Sequence, residues 1–138
     1  MTALPLARLA AVRDNGRLLR IALRLDAAAS GALGLLAVGA AAPLSGLLGP
    51  GEGVLRGVGA FLVVYALALV AVAAGSVISR PAAWTVVIGN SVWVLGSIGA
   101  AVAGRAELTT LGIAVVLAQA AAVAIFADLQ WLGLRRAR

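Results

Sequence analysis

The chain has 138 residues, of which 63% are hydrophobic and 12% are charged; its mean hydropathy is +1.09 and its formal net charge is +6. These values lie outside the usual range of soluble domains and indicate an integral membrane protein. The sequence contains no histidine and no cysteine, which excludes imidazole and thiolate metal ligands, histidine-dependent catalysis and disulfides.

Four uncharged stretches make up most of the chain and predict four transmembrane helices. They cover residues 27–51, 57–79, 81–104 and 108–127. A hydrocarbon core of about 30 Å needs about 20 apolar residues in a helix, and each stretch meets that length. Lipid cannot satisfy open backbone groups, so helices are the expected form. Short connections favour an all-α membrane protein whose four helices form an up-down-up-down bundle.

A basic N-terminal segment, residues 1–24, precedes the first predicted span. Arg17, Arg20 and Arg24 recur at steps of three and four, which places them in one stripe on a helix. This segment could lie along the lipid headgroups on the cytoplasmic side, and Asn15-Gly16 predicts a break before the stripe. The alternative is a plain flanking segment that only sets the orientation of the first span.

The predicted transmembrane domain covers residues 25–134, and a basic cytoplasmic tail follows at 135–138. Its spans occupy about 25–48, 57–76, 82–104 and 108–134. Pro43 predicts a bend or an end near the outer side of the first span, because proline interrupts helical hydrogen bonding. Pro81 suits the first turn of the third helix.

The arginines predict that both termini are cytoplasmic, since positive charge near span ends is retained on that side. In the outer loops only Arg56 and Arg105 are expected, each near an acidic residue, Glu52 and Glu107. Alanine, glycine and arginine abound, as in GC-rich coding sequences, and this composition indicates a bacterial source. Together with the four spans, it predicts a protein of the bacterial inner membrane. Nine arginines are predicted on the cytoplasmic face: Arg8, Arg13, Arg17, Arg20, Arg24, Arg80, Arg135, Arg136 and Arg138.

This basic face is expected to bind the lipid bilayer through anionic inner-leaflet lipids. No aromatic interleaving and no folded basic module accompany the charge, so we expect no nucleic-acid binding. The side chains expected to contact lipid headgroups are Arg17, Arg20, Arg24, Arg135 and Arg136.

Small residues at regular spacing predict where the helices pack, because close backbone approach drives helix association in lipid. One such face lies on the third span and one on the fourth, and we expect both to be tightly packed. A dimerisation face is the alternative. The residues are Gly89, Gly96, Ala100 and Gly104 in the third span and Ala114, Ala118 and Ala122 in the fourth.

Polar residues within the spans are the candidate functional residues, because each of them is costly in hydrocarbon. Asn90, Trp93 and Ser97 fall along one side of the third span. On the fourth span, Gln119 and Gln130 align in the same way. Hydrogen bonding between helices is the simpler interpretation, and a polar substrate passage would need more such groups.

Two aspartates are candidates for proton coupling. Asp128 lies seven positions before Arg135, on the order of 10 Å inside the end of the fourth span. Asp26 enters the first span, with Ser30 one turn deeper and Asn90 at a similar depth, so these residues could form one polar cluster. If the two aspartates approached each other, repulsion and desolvation would favour a proton on one of them. The alternative places both at the hydrated interface or beside arginines.

The aromatic residues predict span boundaries and one candidate pocket. Trp84 and Trp131 fall near the predicted cytoplasmic interface, where indole rings commonly settle. Trp93 is predicted near the middle of the membrane, and with Tyr65 it could line a pocket for a hydrophobic ligand. Core packing is the alternative for both.

The order of four segments over about residues 23–136 resembles small four-span integral membrane proteins of GC-rich bacteria. Those segments are LRLDAAASGALGLL, FLVVYALALV, VIGNSVWVLGSIGAA and LAQAAAVAIFADLQWLGLRR. This resemblance implies no activity, cofactor or catalytic residue.

We therefore expect a structural or accessory membrane component that associates with a second copy of itself or with a larger membrane complex. The alternative is a small proton-coupled transporter or a binder of a lipophilic ligand that uses Asp128 and Asp26. No enzyme activity, catalytic residue, cofactor or metal site is expected.

Overall fold

The computed structural model describes the backbone over residues 3–104 and 107–137, and all regular structure in that range is helical. Four of the helices contain a stretch long and apolar enough to cross a membrane. The prediction of a four-helix membrane bundle is thereby confirmed. The helices are α1 (Ala3–Gly39), α2 (Ala41–Leu48), α3 (Glu52–Ala74), α4 (Arg80–Ala103) and α5 (Thr110–Arg136).

The first span differs from the prediction at its start. α1 continues through Asn15-Gly16, so the break predicted there is wrong; one glycine weakens a helix by only about 1 kcal/mol. Leu19 and Leu23 are 2% and 0% exposed and belong to one core cluster with Leu69 and Leu134. The packed bundle therefore begins within the segment that the sequence assigned to the cytoplasmic surface.

Pro43 has the predicted effect on the outer part of the first span. α1 ends at Gly39 and α2 begins at Ala41. A proline at position 43 has no N–H for the Gly39 carbonyl, and its ring would clash with that carbonyl in a continuous helix. The helix is therefore interrupted at Ala40. Helical hydrogen bonding resumes one residue after the proline, where the Leu44 N–H donates to the Ala40 carbonyl at 3.0 Å.

The neighbour relations of the helices leave one seam open. α1 packs along α3 and α5, and α5 packs along α4. By contrast, α3 and α4 barely touch, although the short link of residues 75–79 joins them. We call this seam the α3–α4 cleft. On this side of the bundle no close contact between helix backbones encloses the interior, and side chains alone cover it.

The backbones of α1 and α3 approach each other closely at Gly34 and Gly59. A Cβ atom added to Gly34 would lie 2.7 Å from the Gly59 carbonyl oxygen, and one added to Gly59 would lie 2.6 Å from the Gly34 carbonyl oxygen. Gly133 of α5 meets the backbone of Leu19 of α1 in the same way, at 2.8 Å. These glycines let the backbones touch, which is how helices associate in lipid.

The small-residue faces predicted on the third and fourth spans are not packed within this chain, so that expectation is wrong. A Cβ added to Gly89 or Gly96 would meet nothing within 4 Å. The inward face of α4 consists instead of Val86, Asn90 and Ser97, which turns the glycines outward. The alternative, a dimerisation face, stays a prediction. The outward alanines of the two faces are Ala100, Ala114, Ala118 and Ala122.

Two arginines stabilise helix ends at one end of the bundle, which we call the arginine-rich end. Arg20 donates to the carbonyls of Ala73, Gly75 and Ser76, the last two at 2.6 and 3.2 Å. These carbonyls end α3. Positive charge there complements the helix dipole. Arg20 thus has a partner within the protein, which the prediction of a lipid contact did not include.

The end of α5 is stabilised in the same way at this end. Arg80 donates to the carbonyls of Leu134 and Ala137 at 3.1 and 3.3 Å. The Arg135 guanidinium lies 4.8 Å from the ring centroid of Trp131. Arg105 and Arg138 lie outside the described residues, as do the side chains of Arg8 and Arg13.

The opposite end is closed by a contact between α2 and α5. The Thr109 N–H donates to the Leu48 carbonyl at 3.0 Å, and its hydroxyl donates to the Leu47 carbonyl at 2.6 Å. The same hydroxyl accepts from the Gly112 N–H at 2.9 Å and caps α5. This contact satisfies carbonyls at the end of α2 that a helix otherwise leaves without partners.

Candidate functional site

A buried carboxylate lies at the centre of the bundle. Asp26 of α1 is 1% exposed. Its Oδ1 accepts from the Ser30 hydroxyl at 3.1 Å, and its Oδ2 accepts from the side-chain amides of Asn90 and Gln130, both at 2.7 Å. Tyr65 reaches the same group through Asn90. We call these five residues the Asp26 network.

Each long helix contributes to the Asp26 network. Asp26 and Ser30 are four residues apart on α1 and therefore share one face of that helix. Asn90 comes from α4, Gln130 from α5 and Tyr65 from α3. The network joins all four spans at one level. It contains the predicted cluster of Asp26, Ser30 and Asn90, and adds the Gln130 and Tyr65 contacts.

Asn90 is the hub of the network. Its amide nitrogen also donates to the Gln130 carbonyl oxygen at 2.9 Å, and its own carbonyl oxygen accepts from the Tyr65 hydroxyl at 2.7 Å. Donors therefore run from Tyr65 through Asn90 to Asp26. Within the described residues, no buried side-chain nitrogen or oxygen is left without a partner.

The hydrogen bonds of Asp26 suit two forms of the carboxyl group. An ionised carboxylate only accepts, which matches all three donors. A protonated carboxyl could donate from Oδ1 to the Ser30 oxygen and still accept both amides on Oδ2. The Ser30 hydroxyl would only need to rotate, since a hydroxyl both donates and accepts. In either form, Ser30, Asn90 and Gln130 can each share a hydrogen bond with this group.

No arginine neutralises Asp26 within the described part of the chain. The salt bridge found there joins Arg56 to Glu52 at 3.2 Å, between exposed side chains at the start of α3. Arg20 is occupied at the end of α3. A buried charge without an opposite charge is costly, so a bound cation would be favoured beside Asp26.

A cavity of about 80 Å³ lies beside the network, in the α3–α4 cleft. Three members of the network, Ser30, Tyr65 and Asn90, form its polar wall. Aromatic rings form another part, with the Phe61 ring centroid 6.1 Å from that of Tyr65 and 6.0 Å from that of Trp93. The remaining lining residues are Leu62, Gly89 and Val123.

Tyr65 and Trp93, the pocket aromatics proposed from sequence, thus lie on the same cavity. Phe61 is a lining residue that the sequence reasoning missed; its spacing of four from Tyr65 on one helix was the available signal. Phe61 is 56% exposed and stacks across the seam from α3 to α4. Only side chains therefore separate the cavity from the outside of the bundle at this point.

A second polar contact joins α4 to α5. The Trp93 indole N–H donates to the Gln119 carbonyl oxygen at 2.8 Å. The Gln119 amide donates to the Ser97 hydroxyl at 2.9 Å and to the Val116 carbonyl at 2.8 Å. The residues aligned in sequence therefore divide between two networks, Asn90 in one and Trp93 with Ser97 in the other.

Asp128 belongs to neither network. Its side chain is exposed, and within the described residues it makes no hydrogen bond or ion pair. The approach of Asp26 and Asp128 that the sequence analysis considered as a condition for proton coupling is not observed. Asp128 precedes Gln130 by two residues, which is about 200° around a helix, so the inward position of Gln130 turns Asp128 outward.

Among the side chains of residues 16–104 and 107–137, no group of three or more histidines, cysteines, aspartates or glutamates could hold a metal ion. No family model matches this chain. Comparisons with curated proteins and with solved structures find no match either. The case for a function therefore depends on the Asp26 network and its cavity.

Proposed function

We propose that this protein is a small proton-coupled carrier that binds the polar head of a lipophilic molecule beside Asp26. The observation that supports this proposal is the cavity in the α3–α4 cleft. Its polar wall consists of residues hydrogen-bonded to Asp26 or to Asn90, and Asp26 is buried without a cationic partner in the described residues.

The size and position of the cavity favour a lipophilic ligand. A volume of about 80 Å³ corresponds to two or three groups of the size of a water molecule, at roughly 30 Å³ each. That space suits a head group and is too small for a whole drug-sized molecule. The tail of the ligand would lie between α3 and α4, where the seam faces lipid.

The chemistry of the walls favours a positively charged head. An ammonium group carries donors only, and the cavity offers the Ser30 and Tyr65 hydroxyl oxygens as acceptors. Aromatic faces of Phe61 and Trp93 attract cations through their quadrupoles. The carboxylate of Asp26 lies directly behind Ser30 and Asn90. We therefore propose an alkylammonium as the ligand.

When no ligand is bound, a proton on Asp26 would take the place of the ligand's positive charge. Asp26 could accept it by rotation of the Ser30 hydroxyl, as described above. Tyr65 of α3 is the other titratable member of the network; α4 contributes the neutral amide of Asn90 and α5 that of Gln130. Cation and proton would then alternate at one carboxylate, so the buried charge would stay balanced. This alternation couples the two movements.

Covering the cavity tests this function. Gly89 is exposed at the outer side of the cavity that it lines, so a leucine there places a side chain over the cavity mouth. We expect this variant to lower octylammonium affinity at least about tenfold, because the head group loses its access. Binding is measured by calorimetry with the chain in nanodiscs of zwitterionic lipid, after subtraction of empty nanodiscs.

The matched control is Gly96→Leu, two turns further along α4. A side chain there also meets open space, but Gly96 does not line the cavity. It should bind octylammonium as the unchanged protein does. Equal binding by both variants, or no binding above the empty nanodiscs by the unchanged protein, would contradict the proposed function.

We also propose that the bundle lies in a bacterial inner membrane with its arginine-rich end toward the cytoplasm. Arg20 and Arg80 at helix termini, and the exposed Arg17, Arg24, Arg135 and Arg136, are at that end. The excess of arginine there supports this orientation. The exposed arginines would also meet anionic lipid in the inner leaflet.

Asp128 favours a second candidate, an accessory component that forms oligomers. An exposed carboxylate inside a span is costly in lipid, and a donor from a neighbouring helix would reduce that cost. Ala114 and Ala118 of α5 are also exposed and would permit close approach of another helix. A second copy of the chain is the proposed neighbour.

Disulfide crosslinking tests the oligomer, because the sequence contains no cysteine. Ala121→Cys on the exposed side of α5 should crosslink efficiently in membranes, and adding Asp128→Leu should reduce the yield about fivefold, as expected for one hydrogen bond of about 1 kcal/mol. The control is Gly57→Cys on the exposed side of α3. A yield at Ala121 no higher than at Gly57 would contradict the candidate.

A further inference from the structure

A second and larger cavity, of about 290 Å³, lies between α1 and α3. We call it the α1–α3 groove. It shares no lining residue with the cavity beside Asp26. Apart from one arginine its walls are apolar, and most of the side chains are alanine. The lining residues are Arg24, Ala27, Ala28, Val70, Ala73 and Ala74.

The mouth of the groove is positively charged. Arg24 is exposed and makes no hydrogen bond within the described residues. Arg20, one turn before it on α1, donates to the carbonyl of Ala73, which lines the groove. Its guanidinium is thus held beside the groove by α3. Asp26, the nearest acid in sequence, is buried and bonded to Asn90 and Gln130 on the other side of α1.

We propose that the α1–α3 groove binds one anionic phospholipid, with its phosphate at Arg24 and an acyl chain along the alanines. A guanidinium pairs with phosphate through two parallel hydrogen bonds. The arginine stem can extend along the apolar wall and keep its charge at headgroup level. The groove, with a volume of about 290 Å³, has room for part of an acyl chain.

The shape of the groove distinguishes this site from the general attraction of a basic surface. Arg135 and Arg136 are also exposed at the arginine-rich end, but neither borders the groove. General attraction would make the exposed arginines nearly equivalent. Because Arg24 is the arginine that borders the groove, its replacement should weaken lipid binding more than replacement of Arg135 or Arg136. The apolar walls, which face the bilayer, favour a lipid over soluble phosphate as the source of the anion.

Native mass spectrometry of the full chain tests the site, with phosphatidylglycerol and phosphatidylcholine of matched chains offered in equal amounts. The unchanged protein should retain one phosphatidylglycerol. Arg24→Gln should lower this retention about fivefold, the effect of about 1 kcal/mol for one arginine near anionic lipid. Ala74→Leu keeps every charge and fills the groove from an exposed position, and it should lower retention to a similar extent.

Arg135→Gln is the matched control and should retain the lipid as the unchanged protein does. Equal losses for Arg24→Gln and Arg135→Gln would overturn the proposal in favour of general electrostatics. Equal retention of the two lipids, or full retention by Ala74→Leu, would also overturn it. Excess inorganic phosphate should not displace the lipid; complete displacement would show that the groove takes free phosphate and would contradict the lipid assignment.

Discussion

Asp26→Asn should weaken octylammonium binding strongly and leave the bundle folded. The asparagine oxygen can accept from the amides of Asn90 and Gln130. Its nitrogen, which replaces Oδ1 of Asp26, can donate to the hydroxyl oxygen of Ser30. All three hydrogen bonds of the site can thus be kept. The free energy of unfolding, measured by titration with a denaturing detergent, should change by less than about 1 kcal/mol.

The effect on binding is large because the carboxylate is the negative charge nearest to the ligand. Two unit charges about 6 Å apart at an effective dielectric constant of about 20 attract by roughly 3 kcal/mol, which is about a hundredfold in affinity. The calorimetric titration used for Gly89→Leu measures this loss. Proton release on binding to the unchanged protein, absent from Asp26→Asn, would accompany it if ligand and proton alternate.

Three comparisons separate charge from structure. Octanol has the same tail and no charge, so its weak binding should be alike in the unchanged protein and in Asp26→Asn. Asp26→Leu leaves the Ser30 hydroxyl and one amide N–H each of Asn90 and Gln130 without an acceptor, and it should destabilise the bundle by about 3 kcal/mol. Asp128→Asn should bind octylammonium normally. Full binding by Asp26→Asn would instead make Asp26 a purely structural residue.

The number of spans and part of the site follow from the sequence because their signals are local. Charges interrupt the chain at the span ends, and lipid tolerates few charges between them. The spacing of Asp26 and Ser30 places both on one face of any helix. The similar depth of Asn90 follows from counting residues from the end of its span. None of these inferences requires the rotation of one helix relative to another.

Helix rotation is what the sequence could not supply. In water, a helix shows its buried face by its apolar stripe, but in lipid both the inner and the outer face are apolar. The glycines on α4 and those at Gly34 and Gly59 therefore look equivalent in sequence. For the same reason, the sequence does not decide whether Asp128 or Gln130 faces the interior. Only the packing of α5 against α1, with Gly133 on Leu19, decides which of the two faces inward.

Gly59→Ala is expected to have the largest effect on stability of any single-methyl change in α3. The added Cβ would lie 2.6 Å from the Gly34 carbonyl oxygen, 2.8 Å from Val38 Cγ2 and 2.9 Å from Ala37 Cβ. The first of these atoms belongs to the backbone and cannot rotate away, so α1 and α3 would have to separate. Overpacking of this kind costs about 1–3 kcal/mol, and we expect the upper part of that range.

Gly57→Ala provides the control on the same helix. A Cβ at Gly57 meets nothing within 4 Å, so the detergent titration should show no loss of stability and, from helix propensity, a gain of up to about 1 kcal/mol. Similar stabilities for the two alanine variants would mean that α1 and α3 do not touch at Gly34 and Gly59.

Separation of α1 from α3 should also reach the binding site. Three residues that line the cavity are close to this glycine contact. Ser30 lies one turn before Gly34 on α1, and Leu62 and Tyr65 lie within two turns of Gly59 on α3. Gly59→Ala should therefore weaken octylammonium binding as well as the fold, whereas Asp26→Asn weakens binding alone. The contrast between these two variants shows whether the glycine contact positions the carboxylate relative to the aromatic wall.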